Sequence, residues 1–307
     1  MSTLVIVNPG ATTAHPRVLG TVIEALASWG EIRVRATEAR GHAVDLAAAA
    51  CTDGTGTVIV VGGDGTVNEV VNGLMAGGAD APRPVLGVVP AGHTNVLSRT
   101  LGFPNDPVEA TGLLLDGLRA GSTRRIGLGR VDDRYFAFSA GLGLDAEVLA
   151  RVEQQRARGA RASLPLYVAS TIVAHAAGLL NGRPGLSVEF PDREPLTDVY
   201  TLIVQNAPVW TYFGNLSVTF APEAAFADGL ALYGLRSLDA LSLSNDLARA
   251  TLRPSRLSSD PGASDLDAFT VRCAEPVPLQ VDGDVVGDRT EAHFTSIRQA
   301  LTVVVAP

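Results

Sequence analysis

The run Val58-Ile59-Val60-Val61 leads directly into Gly62-Gly63-Asp64-Gly65-Thr66-Val67-Asn68-Glu69, and a helical pattern continues from Gly65 to Ala76. A short β-branched apolar run that stops at glycines reads as a buried strand delivering a tight turn and then a helix. Glycines without Cβ let backbone N–H groups approach an anion, and the helix that follows aims its positive end at the same place. Asp64, fixed inside the turn, is placed to hold a divalent ion or to steer a transferring phosphoryl group. The plainer reading is an ordinary strand-to-helix turn with Asp64 as N-cap. A second loop speaks against it: Val85-Leu86-Gly87-Val88-Val89 ends in Pro90-Ala91-Gly92-His93-Thr94-Asn95, before a stretch able to begin a helix. Two such loops imply a bipartite crevice.

The first 120 or so residues alternate apolar β-runs (Leu4 to Val7, Ile32 to Val34, Thr57 to Val61, Val85 to Val88) with helix-compatible stretches (His15 to Ser28, His42 to Cys51, Gly65 to Ala76, Pro107 to Leu118). This alternation predicts an α/β N-terminal domain, a parallel sheet flanked by helices. Ligands of open α/β sheets bind beyond the carboxyl ends of the strands, and Asn8, Thr37, the Gly62 to Thr66 loop and the Gly92 loop all emerge there. From about residue 122 shorter runs separated by turn residues take over: Arg125 to Val131, Tyr135 to Ala140, Leu186 to Phe190, Thr197 to Gln205, Leu216 to Phe220, Leu230 to Leu235 and Phe269 to Cys273. They predict a C-terminal antiparallel β-sandwich or barrel, interrupted by helices over Asp145 to Arg158 and Pro165 to Leu180. The expected boundaries are 1–122 for the first domain and 123–291 for the second. The tail 292–307 carries the apolar, β-branched run Ala300 to Val305.

All 24 basic residues are arginine. A chain without lysine cannot build a P-loop of the Gly-Lys type, a protein-kinase strand lysine or a Schiff base. The turn is no dinucleotide fingerprint either, because Asn68 stands where the third glycine belongs. A net charge of −8 argues against general nucleic-acid binding, which depends on neutralising phosphates with basic residues. Cys51 and Cys273 show no metal-ligand spacing and imply no disulfide framework. The absence of a long apolar run or a leader-like start predicts a cytoplasmic protein without a transmembrane segment.

Taken together, Asn8-Pro9, Gly62 to Thr66, Pro90 to Asn95 and Asp282-Gly283-Asp284 resemble the diacylglycerol kinase catalytic family, which includes bacterial lipid kinases and their sphingosine and ceramide kinase relatives. The family pattern is Asn-Pro, Gly-Gly-Asp-Gly-Thr, Pro-x-Gly-Thr-x-Asn and, near the end, Asp-Gly-Glu, and the resemblance spans nearly the whole chain. The first glycine block is shared with NAD kinases and 6-phosphofructokinases. The second loop and the tail decide for lipid kinases.

The resemblance implies that 1–122 is the nucleotide-binding domain, that 123–291 is the lipid-substrate domain, that the tail 292–307 returns to the first domain, and that the nucleotide cleft lies between the two. It also implies ATP and Mg²⁺ as cofactors and a lipid at the inner membrane surface as acceptor, most simply diacylglycerol converted to phosphatidic acid. Alternatives are another lipid alcohol such as a sphingoid base, or a nucleotide- or lipid-binding regulator without turnover. It assigns ATP contacts to Asn8, Thr37, Gly62, Gly63, Gly65, Thr66, Gly92, His93, Thr94 and Asn95, with Asp64 acting on the triphosphate through the metal. Glu69 is either a supporting carboxylate or a solvated first-turn Glu favourable to the helix dipole.

Asp284 stands at the place of the family's proton-accepting Glu, one methylene or roughly 1.5 Å shorter. A plain Asp-Gly hairpin turn is the competing reading of Val281 to Val285. Asp228 and Leu230 resemble part of a structural Mg²⁺ site whose upstream carboxylate is replaced by Ala225. His93 and Gly127 also depart from the family, at a hydroxyl and an Asp position respectively. The arginines from Arg151 to Arg161 and the apolar stretch Leu164 to Leu180 read either as a local membrane patch or as a solvated helix end before a core helix. Trp210, Tyr212 and Phe213 read as acyl-pocket lining or as packing. A homodimer is a further expectation from the family.

Overall fold

The structure is a computed structural model that describes residues 2–78, 80–158, 170, 185–235, 250 and 262–307. The chain divides into two compact units, Met1–Leu128 with Ile297–Pro307, and Gly129–Ser296.

In the first unit four strands follow the expected alternation: β1 (Ser2–Val7), β2 (Ile32–Ala36), β3 (Thr55–Gly62) and β4 (Val85–Pro90). They pair in parallel in the order β4-β3-β1-β2, and the end of the last strand, β16 (Asp284–Val304), adds to β4 through Val303 and Leu86. Val58, Ile59 and Val60 of β3 are wholly buried, which is why this strand reads as a continuous apolar run rather than an alternating one. Helices α1 (Pro16–Ala27), α2 (His42–Ala50), α3 (Asp64–Leu74), α4 (Val96–Thr100) and α5 (Pro107–Ala120) fill the connections. α1 packs on α5, and α2 packs on α3. The order leaves β1 toward β2 on one side and returns past β1 to β3 and β4 on the other. Right-handed crossovers then put α1 and α3 on opposite faces and open a switch point where the loops after β1 and β3 diverge.

Local signals explain the helix ends. The Asp106 carboxylate accepts from the amides of Val108 and Glu109, both at 2.9 Å, ahead of Pro107 at the first helical position, and Gly121 closes α5 with φ 66°. α2 and α3 are brought close by Gly73, where a Cβ would lie 2.3 Å from the Val44 carbonyl oxygen.

The second unit is antiparallel and β-rich. Its strands are β6 (Arg134–Phe136), β7 (Ser139–Gly143), β8 (Leu186–Glu189), β9 (Leu196–Val199), β10 (Thr201–Gln205), β13 (Leu230–Leu235), β14 (Gly262–Leu266), β15 (Ala268–Val281) and the start of β16. β5 (Thr123–Val131) enters from the first unit and pairs with β6, and α6 (Leu144–Ala157) follows β7. One row runs β14-β13-β10-β7-β15-β16, while β8 and β9 attach to the first part of β15. Residues from both parts, among them Leu142, Val188, Leu202, Leu232, Val271 and Val281, enter one apolar cluster. Phe269 stacks on Phe294 at 4.9 Å between centroids. A separate small hairpin, β11 (Thr211–Phe213) and β12 (Leu216–Val218), stands outside the row.

Several boundaries differ from the sequence reading. Tyr135 to Ala140 is two strands, because the backbone of Ala137 and Phe138 is taken by a side chain described below. Thr197 to Gln205 breaks at Tyr200, whose amide goes to the Leu235 carbonyl at 2.8 Å. The run beginning at Phe269 continues to Val281 through Pro276 and Pro278, residues that read as a strand end. The register against β16 shifts between Arg272 and Val277, and that irregularity accommodates the prolines. Apart from Ser170, the predicted helix Pro165 to Leu180 lies outside the described residues, as does Arg161.

Candidate functional site

The loops after β1, β3 and β4 are tied to one another. The Asn8 side-chain amide donates to the Thr66 hydroxyl at 2.8 Å, and its oxygen accepts from the Gly10 amide at 2.9 Å. The Ala91 amide donates to the Gly62 carbonyl and the Thr13 amide to the Ala91 carbonyl, each at 2.9 Å. Gly63 and Gly92 meet backbone to backbone: a Cβ on Gly92 would fall 2.5 Å from the Gly63 Cα, and one on Gly63 3.0 Å from the Gly92 Cα. Here the glycines are required by the close approach of two chains.

Gly63, not Asp64, is the N-cap of α3, and it offers no side-chain cap. The first amide bonded within the helix is that of Val67, to the Gly63 carbonyl at 3.0 Å, so the amides of residues 64–66 lie at the positive end ahead of the first turn. Asp64 is the first helical residue, and its Oδ1 accepts the Val96 amide at 2.7 Å. One carboxylate thereby latches the first glycine loop to the start of α4, behind the second. Asn95, nearly fully buried and in the left-handed region at φ 51°, shapes that second loop. Its oxygen accepts from the Gly92 amide at 2.9 Å, while its amide donates to the Gly92 carbonyl at 3.0 Å and to the Asn105 side chain at 2.7 Å. Within the loop His93 is exposed and Thr94 half-buried, and Gly63, Asp64 and Gly65 are half-buried. Thr37 follows β2, its amide on the Val7 carbonyl at 2.8 Å.

Glu69 takes neither of its expected roles. Its carboxylate accepts the amides of Gly41 at 2.9 Å and Ala43 at 3.3 Å, so it caps the N-terminus of α2, whose own N-cap, Gly41, supplies no side chain. Gly41 at a helix start was the available sequence signal, and the partner that completes it comes from the neighbouring helix.

In the second unit Asp282 and Gly283 form a two-residue hairpin turn between β15 and β16, with φ 47° and 85°. Asp282 is 2% exposed, and its carboxylate accepts three backbone amides, Ala137 at 2.7 Å, Phe138 at 3.0 Å and Ser139 at 3.1 Å. It is a structural anchor. Asp284, two residues on, is about one-third exposed, with Oδ2 3.6 Å from Nη2 of Arg134. The hairpin-turn reading therefore describes the conformation correctly, and that conformation delivers Asp284 to the surface.

Asp228 is exposed, its amide closing a turn on the Ala225 carbonyl at 3.1 Å, and Leu230 opens β13 in register with Leu266. The nearby Asp265 carboxylate accepts the Gly229 amide at 2.8 Å. Among the described residues no group of three or more His, Cys, Asp or Glu side chains is placed to hold a metal. The one exposed carboxylate of Asp228, with Leu230 beside it, does not fit a cation that needs several oxygen ligands. Asp64 differs in kind, since Mg²⁺ is ordinarily carried by one or two carboxylates together with substrate phosphates. Trp210 packs edge-on against Phe220 at 5.1 Å, and Phe220 against Tyr233, so its described role is packing. Burial pushes both thiols, Cys51 and Cys273, above the ordinary range. Among the described residues no helix is long and apolar enough to cross a membrane.

Paired glycine loops at the carboxyl ends of a parallel sheet, with a helix N-terminus and a carboxylate between them, make up an α/β unit of the kind whose geometry suits a phosphate ligand. Residues 2–131 match the family described as diacylglycerol kinase catalytic domain. The similarity to that family is therefore carried by the N-terminal segment. A relative named "Probable lipid kinase YegS-like" from Chromohalobacter salexigens is 36% identical over 45% of this chain and 43% of its own length. A diacylglycerol kinase from Bacillus subtilis is 39% identical over 37% of this chain and 35% of its own length. The matched stretch thus covers less than half of these relatives. A crystal structure of a diacylglycerol kinase from Bacillus anthracis str. Sterne matches 100% of this chain and 97% of that one with a TM-score of 0.75 at 19% identity, a likeness of fold.

Proposed function

We propose that the protein is an ATP-dependent lipid kinase that transfers the γ-phosphate to a lipid hydroxyl, with diacylglycerol as the favoured acceptor and phosphatidic acid as the product. The observation that carries this reading is the latch at Asp64, which joins the two glycine loops through the Val96 amide at the positive end of α3. The names of the relatives support the lipid as acceptor class. The nucleotide is assigned to the first unit: the amides at the start of α3 and the backbone around Gly63, Gly65 and Gly92 take the phosphates, with Asn8, Thr37, Thr66, His93 and Thr94 around them. Asn95 serves by holding the loop in shape. Mg²⁺, held by Asp64 with the nucleotide's own oxygens, would supply charge neutralisation.

Asp284 is assigned as the base. It accepts the proton of the acceptor hydroxyl as the oxygen bonds to the γ-phosphorus and the bond to the bridging oxygen breaks, the electron pair leaving with ADP. No covalent enzyme intermediate is needed, so positioning and electrostatics carry the rate. The test is label transfer from γ-³²P-ATP with Mg²⁺ into a panel of diacylglycerol, sphingoid base and other lipid alcohols in detergent micelles. Label in phosphatidic acid supports the reading, and label in another lipid changes the acceptor. ATP binding with no labelled lipid would favour a nucleotide-binding regulator.

A further inference from the structure

The Asp282 carboxylate does more than close a turn. By accepting the amides of Ala137, Phe138 and Ser139, with its own amide on the Ser139 carbonyl at 2.8 Å, it locks the β15–β16 turn to the segment that directly follows β6. Asn206, wholly buried, reinforces the lock: its side-chain amide donates to the Ala137 carbonyl at 2.8 Å, and its backbone amide to the Phe138 carbonyl at 2.9 Å. Two side chains ride on the two sides of this cradle. Arg134 opens β6, three residues before Ala137, and Asp284 opens β16, two residues after Asp282. Their charged ends face one another, Nη2 to Oδ2, at 3.6 Å, with side chains 32% and 31% exposed.

An ion pair of this exposure contributes little to stability, and most such pairs are incidental. This pair differs in that both backbones are fixed to the same buried hydrogen-bond cluster, so the geometry is set before the side chains meet. Resting on the lipid-kinase reading, we infer that Arg134 is the positioning residue for the Asp284 carboxylate. The carboxylate is one methylene shorter than glutamate, and the guanidinium, permanently charged on a long arm, holds one of its oxygens and thereby orients the group toward the acceptor hydroxyl. The proton of that hydroxyl passes to Asp284, and Arg134 keeps its own throughout.

The test is a double-mutant cycle in the lipid-labelling assay: wild type, Arg134→Gln, Arg134→Lys, Asp284→Ala and the double variant Arg134→Gln/Asp284→Ala, each with kcat and the KM for ATP. Arg134→Gln is expected to lower kcat by about 10- to 100-fold, as misplacement of a reacting group does, with the KM for ATP changed by less than about twofold. Arg134→Lys recovers part of the loss. In the Asp284→Ala background Arg134→Gln costs nothing further, which a merely structural role would not produce. Wild-type rate in Arg134→Gln, or the same fold-loss with and without Asp284, overturns the inference while leaving the kinase reading intact. A wild type that labels no lipid sinks both. Should Arg134→Gln lack a cooperative melting transition, Arg134→Lys replaces it in the same cycle, with coupling to Asp284 expected and additivity contradicting it.

Discussion

Asp64 accepts the Val96 amide through one oxygen, so two substitutions there separate its two roles. Asp64→Asn keeps an acceptor oxygen and should change unfolding free energy by less than about 1 kcal/mol, whereas Asp64→Ala removes the latch and should cost about 1–2 kcal/mol. Both should abolish transfer, because both remove the charge, and urea unfolding beside the labelling assay checks the pair. Asp282 is the opposite case. Replacing it with Asn leaves one oxygen for the amides of Phe138 and Ser139 but turns an NH₂ group on the Ala137 amide and removes the charge in a buried site, and the expected loss is about 2–3 kcal/mol, read in the same unfolding experiment. Burial raises both thiols, so the thiolate is the disfavoured form at neutral pH. Alkylation of Cys51 and Cys273 by iodoacetamide should lag that of a free thiol and set in only at higher pH. At this scale motif spacing singled out Asp64, Asp284 and the glycines as candidates. It was silent on Asn105 and Arg134, whose partners are remote in sequence and follow no local pattern.

The cap that Glu69 places on α2 joins two helices that sequence treats as separate. Glu69→Ala strips two amides of their partner at a helix whose N-cap is Gly41, and it should cost about 1 kcal/mol without weakening ATP binding measured by calorimetry. A larger affinity loss than stability loss would place Glu69 in the nucleotide site instead. Most elements were legible because their signals are local: β-branched runs ending in glycine for β3 and β4, and Asp106-Pro107 for the start of α5. Those that were misjudged depend on distant partners. β15 runs through two prolines because a register shift against β16 tolerates them, and the break between β6 and β7 exists because Asp282, far along the chain, holds the backbone there. Asp288, Arg289 and Glu291 hid the length of β16, whose middle buries only Ala292 and Phe294 before the apolar end from Ala300 to Val304.

Across the whole molecule, the change from parallel alternation to antiparallel strands was visible in run length alone, and the two compact units divide at Leu128 and again at Ile297. The catalytic-domain match covers residues 2–131, while the proposed base lies far outside it, in the second unit. That Asp64 and Asp284 serve one reaction is the proposal at stake. The measurement that tests it most directly is steady-state transfer from ATP to diacylglycerol in mixed micelles for wild type, Asp64→Asn and Asp284→Ala, with ATP affinity measured on the same preparations. Asp284→Ala is expected to lower kcat by about 100-fold or more, the range for removing a general base, while binding ATP as wild type does, and Asp64→Asn to lose transfer together with Mg²⁺-dependent ATP affinity. Undiminished transfer by Asp284→Ala, in a protein whose Asp64→Asn variant is inactive, would contradict it and move the base elsewhere.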